Sequence, residues 1–221
     1  MFLVPNERMG HILKTPSDAL DQHEFLIPEA AQKAFRKGRK LLENDESSKS
    51  IRHFGKAIEI YPSYALAHLF LGMAYMKLGN GKDAKHSLEK AIGINDKLAA
   101  AHLALGACEN LQGNFAAAEK RLVRGLELNP ETADGHYELG KTYWALGRWQ
   151  EAEPHARKAI ALRPEFAAVH VLMGNIHLRK REAAAALQEF KEYLRLEPKG
   201  PFAASTGEMV AKIEQALASP R

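Results

Sequence analysis

The sequence predicts an all-α solenoid built from short helix pairs. Three observations carry this. The stretch Ala133–Pro164, ADGHYELGKTYWALGRWQEAEPHARKAIALRP, reads as two helices back to back. Its pattern recurs through most of the chain at an interval of about 34 residues. After the last copy, an amphipathic stretch from Pro201 to Ala218 has the pattern of a terminal cap. In the Ala133–Pro164 stretch, Leu139, Gly140 and Tyr143 lie on the first helix, which stops at Gly147. Ala152, Ala156 and Ala159 lie on the second, which Pro164 closes. Gly and Ala leave no bulk where two helix backbones approach, and Leu139, Tyr143, Ile160 and Leu162 supply an apolar seam at helical spacing. One such hairpin cannot bury its own apolar face and needs a copy on each side.

In order along the chain, residues 1–30 read as an N-terminal arm, extended or mobile. Pro5, Pro16 and Pro28 punctuate it and no helical period is sustained. Its opening MFLVPNERMGHILK lacks a basic stretch followed by a long apolar one, so no secretory signal is read and the compartment defaults to cytoplasmic. Five repeats follow, at 31–64, 65–98, 99–132, 133–166 and 167–200. The first has the linker Asn44-Asp45-Glu46-Ser47 in place of a turn glycine, with Asp and Ser as expected caps of the next helix. The second turns at Gly79-Asn80-Gly81, and Asp96 is expected to cap the helix that follows it. The third turns at Gly113-Asn114; Glu109 and Gly125 predict looser packing there. The fifth has Arg181-Glu182 where a turn glycine is expected. Residues 201–221 form the C-terminal capping helix and tail. Val210, Ile213 and Leu217, joined by Met209, make its apolar stripe, and Ser205-Thr206-Gly207-Glu208 fits a capping box.

The in-register copies carry Leu71-Gly72, Leu105-Gly106, Leu139-Gly140 and Met173-Gly174, with Tyr75 and Tyr143 three places on and Pro62, Pro130, Pro164 and Pro198 closing the pairs. This resembles the tetratricopeptide repeat (TPR) family, over about Ala31–Gly200. The resemblance implies a right-handed superhelix whose first helices line a concave groove, and a non-catalytic scaffold or adaptor that holds a peptide or helical segment of a partner protein. Carried over by register, the groove takes Arg36 and Arg39 from repeat one, and Leu66, Leu69, Phe70, Met73 and Met76 from repeat two. Repeat three adds Leu103, Ala107 and Asn110, repeat four Tyr137, Lys141 and Trp144, and repeat five Asn175 and Arg179. An apolar, Met-bearing centre with basic flanks suits an apolar or amphipathic segment beside acidic residues. The Lys/Asn/Arg clamp of chaperone-tail binders is absent, as is the Asn ladder of sugar-transferase arrays. The alternative is an accessory module, spacer or dimerisation unit of a larger envelope protein or enzyme; a homo-oligomer fits either reading.

Composition and motifs argue against other classes. The 221 residues carry a net charge of +4, mild and scattered, which gives little support to nucleic-acid binding. No apolar run reaches membrane-span length. Cys108 is the one cysteine, read as a small buried hydrophobe rather than a nucleophile. His68, His102, His136 and His170 recur at one place in four repeats, but a column spaced by whole helices cannot converge on one ion. They are read as packing residues with a polar edge on backbone or solvent. With no phosphate loop, HExxH or CxxC, no enzyme, metal or cofactor is expected.

Overall fold

A computed structural model describes residues 27–218. Among them are eleven α-helices and no strand. They divide into two compact units at the Pro130–Glu131 junction. The first holds α1 (Glu29–Glu43), α2 (Ser47–Ile60), α3 (Ala65–Lys77), α4 (Gly81–Ile94), α5 (Ala99–Leu111) and α6 (Phe115–Leu128). The second holds α7 (Ala133–Ala145), α8 (Trp149–Leu162), α9 (Ala167–Arg179), α10 (Ala183–Leu196) and α11 (Ala203–Ala218). Consecutive helices pair α1 with α2, α3 with α4 and α5 with α6, then α7 with α8 and α9 with α10; α11 packs on α10. Most of the expected N-terminal arm lies outside the described residues. Its end is structured: α1 begins at Glu29, and the buried Ile27 carbonyl accepts a hydrogen bond from Gln32 Nε2 at 3.1 Å.

Four of the five hairpins close on a glycine in the first helix and a large side chain in the second. A Cβ at Gly38 would lie 2.7 Å from the Phe54 ring, at Gly72 2.6 Å from Leu88 Cγ, at Gly106 2.5 Å from Leu122 Cγ and at Gly174 2.4 Å from the Phe190 ring. Leu88 and Leu122 are fully buried, worth roughly 1.5–3 kcal/mol each against exposure. The fourth hairpin has Ala156 at the facing place, and Leu172 of α9 fills in, 3.1 Å from the Gly140 position. The first unit adds an aromatic cluster in which Phe35 lies 5.9 Å from Phe54, 4.9 Å from Tyr64 and 5.2 Å from Phe70 between ring centroids.

The turns inside the hairpins share one backbone device. Asp45, Gly79, Gly113, Gly147 and Arg181 stand at successive repeat positions, and all five have positive φ, from 60° at Asp45 to 77° at Gly113. Asp45 and Arg181 thus hold the left-handed conformation that the other turns give to glycine. Asp45 is therefore a turn residue and not the expected cap. The residue before α2 is Glu46, which makes no side-chain cap bond, and Ser47 is already helical. Asp96 does not cap α5 either; Leu98 precedes that helix, and Asn95 Oδ1 holds the loop by accepting from the Lys97 amide at 3.0 Å. Side-chain caps are present where Asn80 Oδ1 accepts from the Asp83 amide and Thr132 Oγ1 from the Gly135 amide.

The mid-array packing is close rather than loose. At Gly125 a Cβ would come within 2.5 Å of Leu103 Cδ2, so leucine from α5 occupies the space a side chain would need. Glu109 is 3% exposed, yet its Oε1 takes a 2.9 Å bond from Lys85 Nζ. In α11 the buried stripe also differs from the expected one. Thr206 and Ile213 are buried with Met209 and Val210 partly so, whereas Leu217 is 53% exposed because the helix end passes beyond α10. The helix begins two residues before Ser205, so Ser205–Glu208 is no capping box; Ser205 Oγ donates to the Phe202 carbonyl at 3.1 Å.

Candidate functional site

The two units treat their expected groove residues differently. In the first, Leu69, Phe70, Met73, Met76, Leu103 and Ala107 are all at most 5% exposed, packed inside the unit. They offer a ligand almost no area. The reason is crowding from three sides: Phe70 meets the rings of Phe35 and Phe54, the latter at 5.9 Å, and Arg39 covers its face at 5.6 Å. Leu66 and Asn110 are half-buried. Arg36 and Arg39 are exposed and spend their guanidinium groups along α1, on Gln32 at 3.3 Å and Glu43 at 3.4 Å.

In the second unit the structure brings together Tyr137, Lys141, Trp144 and Asn175 around a cavity of about 300 Å³. Tyr137, Lys141 and Trp144 come from α7, at the helical spacing that puts them on one face. Ala168, Val171, Leu172 and Asn175 of α9 form the facing wall, and Phe190 of α10 contributes behind them. Phe202, Ser205, Thr206 and Met209 close the side formed by α11. Arg179 is exposed one turn past Asn175 and does not line the cavity.

Phe202, Ser205 and Thr206 are what sequence reasoning missed. Phe202 and Thr206 extend the Met209 and Ile213 part of the expected stripe backwards at intervals of four and three, and Phe202 stands just before α11. The start of α11 is pinned from below: the Phe202 amide donates to the Tyr193 hydroxyl at 2.9 Å, and their rings lie 6.0 Å apart. Gly200 makes this approach feasible, since a Cβ there would sit 2.5 Å from the Tyr193 hydroxyl.

Polar groups in the wall are few. Lys141 Nζ bonds both Glu138 oxygens at 2.9 and 3.0 Å and lies 5.0 Å from the Tyr137 ring centroid. Burial alone would lower the lysine's pKa, but the Glu138 carboxylate and its hydrogen bond outweigh that and hold it above the usual value. Burial pushes the Tyr137 phenol up to about 12, so it stays neutral, and its ring meets Phe166 edge-on at 4.8 Å. The Asn175 amide makes no hydrogen bond to the described residues and lines the cavity half-buried. The site can thus desolvate an apolar group and offer it one free amide.

The recurring histidines act as latches. His68, His102 and His170 each place Nε2 on the carbonyl six residues earlier, of Pro62, Asp96 and Pro164, at 3.1, 2.9 and 3.4 Å. Each ring ties its helix to the loop that enters it. His136 of α7 meets His155 of α8, Nδ1 to Nδ1 at 2.9 Å. No three potential ligands converge as a metal site among the described residues. Cys108 is buried, and burial raises its thiol pKa, the reverse of an activated nucleophile. No described helix is long and apolar enough to cross a membrane.

Comparison with known proteins places this architecture. The tetratricopeptide repeat family model matches four overlapping spans, residues 35–91, 71–131, 112–164 and 137–201. A crystal structure of MamA is 29% identical, covers 73% of this chain and 95% of its own, and superposes with a TM-score of 0.62. PilF of Pseudomonas aeruginosa is 20% identical with a TM-score of 0.69, over 86% of this chain and 90% of its own. YrrB, described as a TPR protein with an unusual peptide-binding site, is 21% identical with a TM-score of 0.61, over 80% of this chain and 92% of its own. No curated protein sequence matches the chain. The last two likenesses bear on the fold alone. With helix pairs, turn positions and glycine contacts all recurring at the repeat interval, and the family model matched across most of its length, the chain belongs to the tetratricopeptide repeat family, whose members are in general non-catalytic protein-interaction scaffolds.

Proposed function

We propose that this protein is a non-catalytic scaffold that holds a peptide or helical segment of another protein, anchored in the cavity beside Trp144. The observation that carries the reading is the cavity of about 300 Å³ walled by α7 and α9 and closed by α11, apolar apart from Lys141, Asn175, the hydroxyls of Tyr137, Ser205 and Thr206 and the Trp144 indole N–H. That volume takes one large apolar side chain with room to spare. Trp144 and Tyr137 are the residue types that dominate binding hot spots, and the flexible Met209 adapts the wall to the incoming shape. Asn175 suits a backbone amide of the bound segment. The apolar residues of α3 and α5 serve packing, and the basic side chains of Arg36, Arg39 and Arg179 bear on association rate and salt dependence rather than on the anchor.

The test is capture of a partner with the full chain, followed by titration calorimetry on variants. Trp144→Ala is expected to cost about 2 kcal/mol or more of binding free energy, roughly a thirtyfold loss, with helicity unchanged. Arg179→Ala should cost less and mainly flatten the salt dependence. If Trp144→Ala binds the captured partner as tightly as the parent, the cavity is not the anchor. Capture of only a second copy of the chain would favour the dimerisation reading.

A further inference from the structure

The two units differ in charge. Residues 27–130 carry 16 Lys and Arg against 11 Asp and Glu, whereas residues 131–218 carry 12 of each. The excess is ordered. On α2, α4 and α6, the second helices of the first unit's hairpins, Arg52, His86 and Lys120 stand at one repeat position. Lys56, Lys90 and Arg124 stand one helical turn further on. All six are exposed. Among the described residues only Arg124 has an ion-pair partner, Glu127 at 3.0 Å. On the first helix the exposed Lys37 lies near enough to α2 to act on His53.

Two neighbouring imidazoles register the field. Burial depresses the His53 pKa, and Lys37 and Lys56 depress it further. Burial likewise depresses that of His68, with Lys90 and His86 adding to it against the Pro62 carbonyl. Positive charge on this face is therefore not cancelled by the acids around it.

We infer that this band across α2, α4 and α6 is a second docking surface, for an extended acidic segment of a protein. Its shape selects among polyanions. The band is two side chains wide and is bordered one turn further along by Glu59 on α2 and Glu127 on α6. A flat anionic bilayer would meet both carboxylates together with the cations, whereas a single extended chain crossing the helices meets five side chains without an ion-pair partner among the described residues and, at Arg124, a cation shared with Glu127. No Phe, Tyr or Trp occupies either row, so a nucleic-acid strand would find charge and a single imidazole but no run of stacking platforms. An acidic peptide needs only the charges, which recur at one repeat interval on α2, α4 and α6.

Fluorescence anisotropy of a labelled oligo-glutamate peptide with the full chain tests this, with oligo-glutamine as the neutral control. Binding is expected at low salt and should weaken as salt rises. Lys56→Gln/Lys90→Gln/Arg124→Gln should reduce affinity about tenfold, within the range such charge clusters command. Lys191→Gln/Lys199→Gln/Lys212→Gln, which removes equal charge from the second unit, should change it less than about twofold. Circular dichroism verifies that both triples keep their helicity, and Lys56→Arg/Lys90→Arg should retain binding. Equal losses from both triples would mean that net charge alone attracts the peptide, and the inference fails. It also fails if phosphatidylserine vesicles or oligothymidylate bind at this face while oligo-glutamate does not.

Discussion

Replacing Arg181 by glycine should stabilise the protein. Arg181 has φ of 64° in the turn between α9 and α10, at the repeat position where Gly79, Gly113 and Gly147 have φ of 73°, 77° and 76°. A residue with a Cβ pays about 1–2 kcal/mol for that conformation. Glycine instead pays about 0.4–1 kcal/mol in the entropy it brings to the unfolded chain. The net gain is about 0.5–1 kcal/mol, or roughly 2–3 °C in melting temperature for a chain of this size. Nothing else is lost, because the Arg181 side chain is exposed and its amide, bonded to the Leu178 carbonyl at 3.0 Å, survives the change. The converse is Gly147→Ala. Its Cβ would have nothing within 4 Å, so no clash adds to the backbone cost, and with the same unfolded-chain entropy set against it the net loss is about 0.5–1 kcal/mol. Asp45→Gly separates the two influences: it relieves the same strain but gives up the ion pair to Lys77. Urea midpoints followed by circular dichroism at fixed protein concentration rank the variants. A lower midpoint for Arg181→Gly, or an unchanged one for Gly147→Ala, would refute the strain argument.

Three further outcomes follow from packing and charge. Gly106→Ala places a methyl 2.5 Å from Leu122 Cγ and should cost about 1–3 kcal/mol by overpacking, read from the same urea midpoints. Removing residues 201–221 uncovers Phe190 and opens the cavity, so the melting midpoint should fall and light scattering on heating should rise. His155, half-buried, and His170, buried, should titrate on opposite sides of the usual 6.5, which NMR of the imidazole protons measures. For His155, burial and then His136 lower the pKa, so its contribution is full above 6.5 and lost as pH falls below that value. For His170, burial would lower the pKa, but the Glu189 carboxylate at 2.7 Å and the Pro164 carbonyl raise it overall. Its contribution is full below 6.5 and lost as pH rises through the raised value, so His170→Gln should destabilise more at about pH 5 than at about pH 8.

The repeat made most of the fold legible. Gly38, Gly72, Gly106, Gly140 and Gly174 recur because helix axes approach closely at one place in every pair, and a close approach excludes all but the smallest residue. The same logic made the histidine column readable as structural, since equivalent residues in stacked pairs are a helix apart. Local patterns were less secure where several chemistries serve one end. Asp45 and Arg181 showed no glycine at the turn, yet the turn formed with the same backbone, because the flanking helix pair dictates φ and a residue with a Cβ can accept the cost.

The candidate site divides along the same line. Helical periodicity alone put Tyr137, Lys141 and Trp144 on one face of α7, since residues three and four apart share a face whatever surrounds them. It could not separate that face from the Phe70, Met73 and Met76 face of α3, which obeys the same period. Only packing decided that the methionines are covered and the tryptophan is not. The first unit brings Phe35, Phe54 and Tyr64 into one cluster around α3, while the second leaves a cavity because the α11 stripe, through Phe202, Thr206 and Met209, stands off from α7 instead of filling the space. Burial is a sum over neighbours that are distant in the chain, so a periodic signal fixes which side chains share a face, and tertiary contacts fix whether that face is packed against protein or left lining a cavity.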